Sequence, residues 1–399
     1  MPLALWALAI GAFGIGTTEF IIAGLLPVIA ADFNVSIPVA GNLATAYALG
    51  VFVCAPALII LGAKVPRKAM LIFLMLLFVT GNVVTAFAPS LTVAIVGRVI
   101  TSMTHGAFFG IGSIIAAELV APAKRVRAIA FMFMGLTVAN LIGVPVGTWI
   151  GQHLSWRDAF VAIAVIGAIT VVSVAMLVPH QPRPQNQSFA KEFSAFRNVN
   201  VLLAMGITVF GPGAFFTSIT YIAPMMTELA GYRESSLAGL MLLFGLGLFV
   251  GNQLGGRYAD RALMPMLYVT LAAQAVVLVI FNFTAHSQIM SAICIFLMAA
   301  FGFATVSPIQ KLVMDKARAA GAPTLASAVN IGLFNLGNAL GAWLGGVVIA
   351  AGFGLQSPNW AGAVLSVIAL VLAVLSGLTD KTGQPAGQQR AAAETENAG

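Results

Sequence analysis

Three ionisable side chains stand inside stretches that are otherwise free of charge. Glu19 lies in LALWALAIGAFGIGTTEFIIAGLLPVIA (Leu3 to Ala30), and Arg98 and His105 lie in a later apolar run. The first run is long enough to cross a bilayer, since about 20 residues at ~1.5 Å each cover the ~30 Å hydrocarbon core. An acid near the middle of such a span costs about 3 kcal/mol on insertion, so chains seldom place one there without a use for it. Ala12, Gly16, Glu19 and Ala23 recur at intervals of four, three and four. They form one face of small residues suited to packing on other helices, with Phe13, Phe20 and Ile21 elsewhere around the wheel. Glu19 is therefore expected to look into the protein. A protonated glutamic acid that bonds to a neighbouring helix and serves the bundle alone fits the same residues.

Arg98, Thr101, Ser102 and His105 follow each other at spacings of three or four or close to them, with Arg98 and His105 about 10 Å apart along one face. A guanidinium stays charged, so its burial demands a carboxylate, carbonyls or water. Glu19 is the expected acid, with water or an anionic substrate group as alternatives. His105 fits a hydrogen-bonded packing role as well as a proton-handling one. A carboxyl group carries protons if its surroundings alternate, because dry surroundings favour the acid and water or a nearby cation favours the carboxylate. A membrane potential adds about 2.3 kcal/mol per charge per 100 mV, enough to drive uphill movement of a solute. Glu19, Arg98 and His105 are the expected proton-coupling set.

The elements that must position these groups are membrane spans. With 60% hydrophobic and 8% charged residues, the 399-residue chain lies far from soluble domains, which carry about a quarter charged residues. Apolar runs bounded by charge, Pro and Gly place spans near 5–30, 40–62, 69–88, 91–118, 127–150 and 159–179. Six more fall near 200–227, 237–258, 263–284, 288–310, 324–351 and 359–378. The first Lys or Arg is Lys64, so no basic region precedes the first span, which argues against a cleaved signal peptide. Sixteen Lys and Arg fall in one set of alternate loops and the tail, and only Arg157 and Arg233 in the other. This asymmetry predicts both termini in the cytoplasm, and it accounts for the +7 net charge without a nucleic-acid partner. Cys54 and Cys294 lie in apolar runs, so neither a disulfide framework nor a Cys-based metal site is expected.

The longest polar connection, His180 to Asn200, divides the chain. Phe189, Phe193 and Phe196 there fit a short amphipathic helix on the membrane surface or a plain linker. LGVFV at Leu49 to Val53 recurs as LGLFV at Leu246 to Val250, and Gly143, Gly147, Trp149 and Gly151 recur as Gly337, Gly341, Trp343 and Gly345. The offsets of 197 and 194 residues relate span 2 to span 8 and span 5 to span 11, as in two parallel six-span halves. The expected organisation is an N-terminal bundle 1–180, a cytoplasmic linker 181–199, a C-terminal bundle 200–380 and a disordered cytoplasmic tail 381–399.

Four stretches resemble the major facilitator superfamily, and within it the twelve-span drug:proton antiporters and the arabinose-efflux-permease-like branch. They are GTTEFIIAGLLPVIA with SIPVAGNLATAYALGV, then GRVITSMTHGAFFG around Arg98, GLTVANLIGVPVG from Gly135 to Gly147, and GGRYADR from Gly255 to Arg261. The resemblance covers residues 1 to 380. It implies an all-α integral membrane protein with twelve transmembrane helices in two six-helix bundles, monomeric, in the bacterial inner (cell) membrane. In the last stretch Gly256, Asp260 and Arg261 match a loop motif whose Asp, the resemblance implies, latches the halves on the cytoplasmic side. The equivalent first-half loop departs from this motif, with Pro66 where an Asp is usual.

Gly143, Gly147 and Gly151, and likewise Gly337, Gly341 and Gly345, allow close helix approach and are candidate seams between the halves. Pro145 lacks a backbone donor, so the fifth helix can kink. Tyr47, Asn140, Thr217, Tyr221, Asn330 and Asn338 are the polar residues expected around a mostly apolar substrate cavity, with Asn330, Phe334 and Asn338 on one face. Trp156, Arg157 and Phe160 read as an interfacial anchor. These features predict a secondary active transporter of small molecules, and the resemblance of the fifth span implies proton-coupled export of sugar or drug-like solutes, with no cofactor and no metal. A proton-coupled importer or exchanger of a metabolite such as a nucleoside remains an alternative, as does a membrane receptor or scaffold. No HExxH zinc motif, no Asp pair inside the spans and no GxxxxGK[ST] loop occurs, which argues against an intramembrane enzyme and against ATP-driven transport.

Overall fold

The computed structural model describes residues 2–62, 65–180, 197–259, 261–319 and 323–382. The linker helix expected over Phe189 to Phe196, Asp260 and the tail beyond residue 382 lie outside the described residues. Within them are twelve helices long and apolar enough to cross a membrane. The first six are α1 (Leu3–Asp32), α2 (Ile37–Leu58), α3 (Arg67–Ala86), α4 (Leu91–Glu118), α5 (Arg125–His153) and α6 (Trp156–Leu177). The other six are α7 (Val199–Ile219), α8 (Glu234–Ala259), α9 (Leu263–Thr284), α10 (Gln288–Ala319), α11 (Val329–Phe353) and α12 (Ser357–Thr379). Runs this apolar can only pair their backbone groups within themselves in hydrocarbon, which selects the helix. Side chains close several exposed starts: Ser90, Ser155 and Ser287 accept from the amides of Val93, Arg157 and Met290.

Local chemistry bends the spans. Pro145 has no N–H, and the turn before it widens into a π segment, Ala139–Gly143, so the expected break in α5 takes this form. The seventh span ends at Ile219 rather than near 227. Beyond it Tyr221 leaves helical geometry, and a short turn Ile222–Pro224 runs into a second π segment, Met225–Leu229. The tenth passes the expected end at 310 and reaches Ala319, its last turns carrying Lys311, Lys316 and Arg318. Gly352, at φ 86°, closes α11 in a conformation that favours glycine.

The packing repeats itself. α1 lies on α5 and α6, α2 on α4, and α3 on α4 and α6; adding six to each number gives α7 on α11 and α12, α8 on α10, and α9 on α10 and α12. Between the two sets, α2 packs on α11 and α5 on α8, pairs that exchange under the same operation. Along α5, α8 follows the π segment and Val144–His153 but barely touches Arg125–Val138, so these two helices part toward the end that holds the basic loops. α2 and α11 stay together for longer. The place of Gly346 lies against Pro38 at one end, and that of Gly332 against Phe52 and Pro56 at the other.

Candidate functional site

α1, α2 and α4 bring the ionisable groups together. The Glu19 side chain is 10% exposed and lies inside the protein, with Oε2 4.0 Å from His105 Nδ1. The same imidazole nitrogen is 3.1 Å from the Tyr47 hydroxyl, which either donates to it or accepts from it according to the tautomer. Arg98 is fully buried, its guanidinium carbon 4.3 Å from the centre of the Tyr47 ring and 5.9 Å from that of Phe160. Tyr47 thus touches both cation-capable groups of α4, one with its oxygen and one with its face. Sequence reasoning assigned it to a substrate cavity; in the structure it belongs to the ionisable cluster.

Arg98 makes no ion pair with Glu19, contrary to expectation. Its Nη1 donates to Thr18 O at 2.8 Å and Thr18 Oγ1 at 3.1 Å, and its Nε to Leu43 O at 3.5 Å. Carbonyls and an aromatic face take the place of a carboxylate, while Nη2 is buried without a partner. Thr18 donates in turn to Asn82 Oδ1 at 2.9 Å, linking α1 to α3. Neither Thr18 nor Asn82 was singled out from the sequence, although a lone Asn in an apolar span was a usable signal. Thr101 and Ser102 stand apart from the cluster. Their hydroxyls bond back to Gly97 O and Val99 O, and they pack at Gly81 of α3 and Gly50 of α2.

The residue after Glu19 points elsewhere. The Phe20 ring enters a cluster of the second set, its centre 5.6 Å from Phe216 of α7, 6.0 Å from Phe244 of α8 and 6.3 Å from Phe303 of α10. Phe215 completes the group, 5.7 Å from Phe244 and 6.0 Å from Phe303. Successive helical residues diverge by about 100°, so α1 holds its acid among the first six helices and its ring among the second six.

The remaining polar candidates differ in their commitments. Thr217 bonds back to Gly213 O at 2.7 Å, and Tyr221 donates to Ala342 O at 2.8 Å. Asn330 accepts from Thr208 at 2.6 Å and donates to Gln310 at 2.6 Å. Thr217 is thus bonded within its own helix, and Tyr221 and Asn330 serve contacts between helices. Asn140 lies in the π segment with Nδ2 on Leu136 O at 3.2 Å and Oδ1 unpartnered. Asn338 is fully buried, with both polar side-chain atoms unpartnered.

The glycine stripes are not where the two sets meet. A Cβ at Gly143, Gly147 or Gly151 would face Thr17, Ile21 or Leu25 of α1, and one at Gly337, Gly341 or Gly345 would face backbone carbonyls of Val209, Gly213 or Thr217. Each stripe locks a helix to its own set, so the reading of these glycines as seams between halves is corrected. The contacts across run instead through positions such as Gly245, which lies against the Asn140 carbonyl. Gly256 has open space around it, and Arg261 N donates to Tyr258 O at 3.1 Å. The interfacial anchor is also corrected, because Trp156 and Phe160 are buried. Trp156 Nε1 and Arg157 Nη2 both donate to Asp32 Oδ2, at 3.1 and 2.9 Å, and Arg157 Nη1 holds the carbonyls of Ala86 and Ala88.

Twelve apolar helices in two equivalently packed sets, with ionisable groups buried inside the first set, define a helical membrane transporter. A profile of the Major Facilitator Superfamily matches residues 8–333, and the chain belongs to that family. The inner membrane transport protein YdhP of Escherichia coli (strain K12) is 44% identical over 372 residues, 93% of this chain and 95% of that protein. The chloramphenicol resistance protein of Streptomyces lividans is 32% identical over 394 residues, 98% of this chain and all of that protein. The crystal structure of D-xylose-proton symporter has the same fold, with a TM-score of 0.77 at 13% identity over 94% of this chain and 96% of that one.

Proposed function

We propose that the protein exports neutral or amphipathic small molecules in exchange for protons, by rocking of residues 1–180 against residues 200–380. The observation that carries this reading is the place of Glu19. Its carboxylate is inside the protein, within 4.0 Å of an imidazole, on the helix whose next residue packs among Phe216, Phe244 and Phe303 of the other half. Loading Glu19 with a proton removes a charge from a dry site, and releasing it restores one. His105 and Tyr47 form the polar surface beside it, and Arg98, held by carbonyls, supplies a fixed positive field. The parting of α5 from α8 at the basic end supplies a route for substrate on that side. Export is favoured over import by the relative that confers chloramphenicol resistance.

Inside-out vesicles energised acid inside, given chloramphenicol and a panel of radiolabelled sugars, test the proposal. Accumulation that collapses with a protonophore and is absent in Glu19→Gln is expected. Full pH-driven accumulation by Glu19→Gln refutes the assignment.

A further inference from the structure

At the basic end, the start of α1 and the connection from α4 to α5 enclose a cleft of about 320 Å³ lined by Pro2, Val120, Ala121, Lys124 and Arg127. Lys124, Arg125 and Arg127 are exposed. None of the three makes an ion pair or side-chain hydrogen bond among the described residues. The nearby acid of α4, Glu118, is committed to Arg67 at 2.6 Å. The cleft therefore has a positive lining with no anion to balance it among the described residues. Its surroundings are apolar and outward-facing: Leu3 is 66%, Trp6 51% and Val126 82% exposed. Trp6 is held edge-on against Phe131 of α5, 4.8 Å between ring centres, which keeps the indole on this surface.

Cations on the lining of a cleft beside exposed hydrocarbon-compatible side chains match one molecule of the surroundings in both parts. The geometry points to a binding site for an anionic phospholipid of the leaflet at the basic end. Its phosphodiester lies between Lys124 and Arg127, and an acyl chain runs past Leu3, Trp6 and Val126. A zwitterionic lipid brings its own cation to the same place and meets repulsion there. Soluble phosphate satisfies the cations but leaves the apolar surface unused. The site is separate from the proton and substrate chemistry proposed above and does not depend on it.

The test is native mass spectrometry of the full chain in micelles doped with equal amounts of phosphatidylglycerol and phosphatidylcholine. Retention of one phosphatidylglycerol per chain in preference to phosphatidylcholine is expected. A surface cation contributes a factor of about five to anionic-lipid affinity, so Lys124→Gln/Arg127→Gln should weaken retention about 25-fold. The charge-conserving Lys124→Arg/Arg127→Lys should retain the lipid, as should Arg197→Gln/Arg257→Gln, which removes exposed cations elsewhere at the same end. Equal retention of the two lipids would overturn the proposal. So would unchanged retention in the Lys124/Arg127 pair of Gln substitutions, an equal loss in the Arg197/Arg257 pair, or replacement of the lipid by inorganic phosphate alone.

Discussion

Gly147 and Gly341 hold equivalent places in the internal repeat, yet a single added methyl group should separate them. On Gly147 a Cβ meets only the flexible end of Ile21, with Cγ1 at 3.2 Å and Cδ1 nearer. On Gly341 it meets the backbone of α7, namely the Gly213 carbonyl oxygen, its carbon at 3.0 Å and Thr217 N at 2.9 Å. Ile21 can yield by a rotamer change worth about 1 kcal/mol, and Gly→Ala inside a helix returns about the same amount through propensity. Gly147→Ala should therefore lie within about 1 kcal/mol of the parent. A carbonyl cannot yield that way. α7 and α11 must move apart, and overpacking of this kind costs about 1–3 kcal/mol, with loss of the neighbouring approaches at Gly337 and Gly345 added. After the same propensity gain, Gly341→Ala should be destabilised by about 2 kcal/mol, roughly a 30-fold change in the folding equilibrium. Unfolding of both variants in one detergent, followed by tryptophan fluorescence, measures the difference. Equal destabilisation, or a larger loss in Gly147→Ala, would refute the assignment of the two stripes to side-chain and backbone contacts.

Two further substitutions separate roles within the site. Tyr47→Phe removes the hydroxyl 3.1 Å from His105 but leaves the ring under Arg98, so stability should change by no more than about 1 kcal/mol while the pH profile of transport shifts; an unaltered profile would place Tyr47 outside the proton path. Asn338→Leu replaces a buried carboxamide whose two polar atoms lack partners, and burial of such a group costs about 1–3 kcal/mol. The variant should unfold at the same or a higher temperature, and a marked fall would mean that Asn338 makes a bond important to the folded state.

Sequence period and length were enough for the twelve spans because hydrocarbon permits little else. They failed where hydropathy and backbone geometry disagree. Ile222 to Met226 is as apolar as the helix before it, so hydropathy does not mark the break at Tyr221; Pro224, which cannot donate to Thr220 O, was the usable signal. Conversely, Lys311 and Lys316 end the apolar run of α10 but not its helix, since such residues are good helix formers. Glu19, Arg98 and His105 were legible because an ionisable group in a span is conspicuous. Their partners were not. The carbonyls of Thr18 and Leu43 that hold Arg98 have no sequence signature, and a glycine stripe marks a close approach without revealing which helix comes near or whether it presents side chain or backbone. Trp156, Arg157 and Phe160 looked like a membrane border, yet the pull of Asp32 and of two carbonyls at the end of α3 turned Trp156 and Arg157 inward.

The repeat conserves packing more closely than chemistry. In each half a carboxamide of the third helix reaches the first: Asn82 meets Thr18, and Gln274 donates to Gly211 O at 3.2 Å. The mid-span ionisable groups all belong to the first half, whereas the second contributes four of the five phenylalanines of the central cluster. In the proposed cycle this inequality is what lets a proton act on the relation between halves. A change of charge at Glu19 alters how firmly α1 is held beside His105, and any tilt or rotation of α1 must carry Phe20 with it, one residue along the same rigid helix. Because that ring lies among Phe216, Phe244 and Phe303, the second half cannot remain indifferent to it. Two halves that each held their own acid and their own aromatic group would lack this mechanical connection, since neither titration would displace a side chain seated in the other.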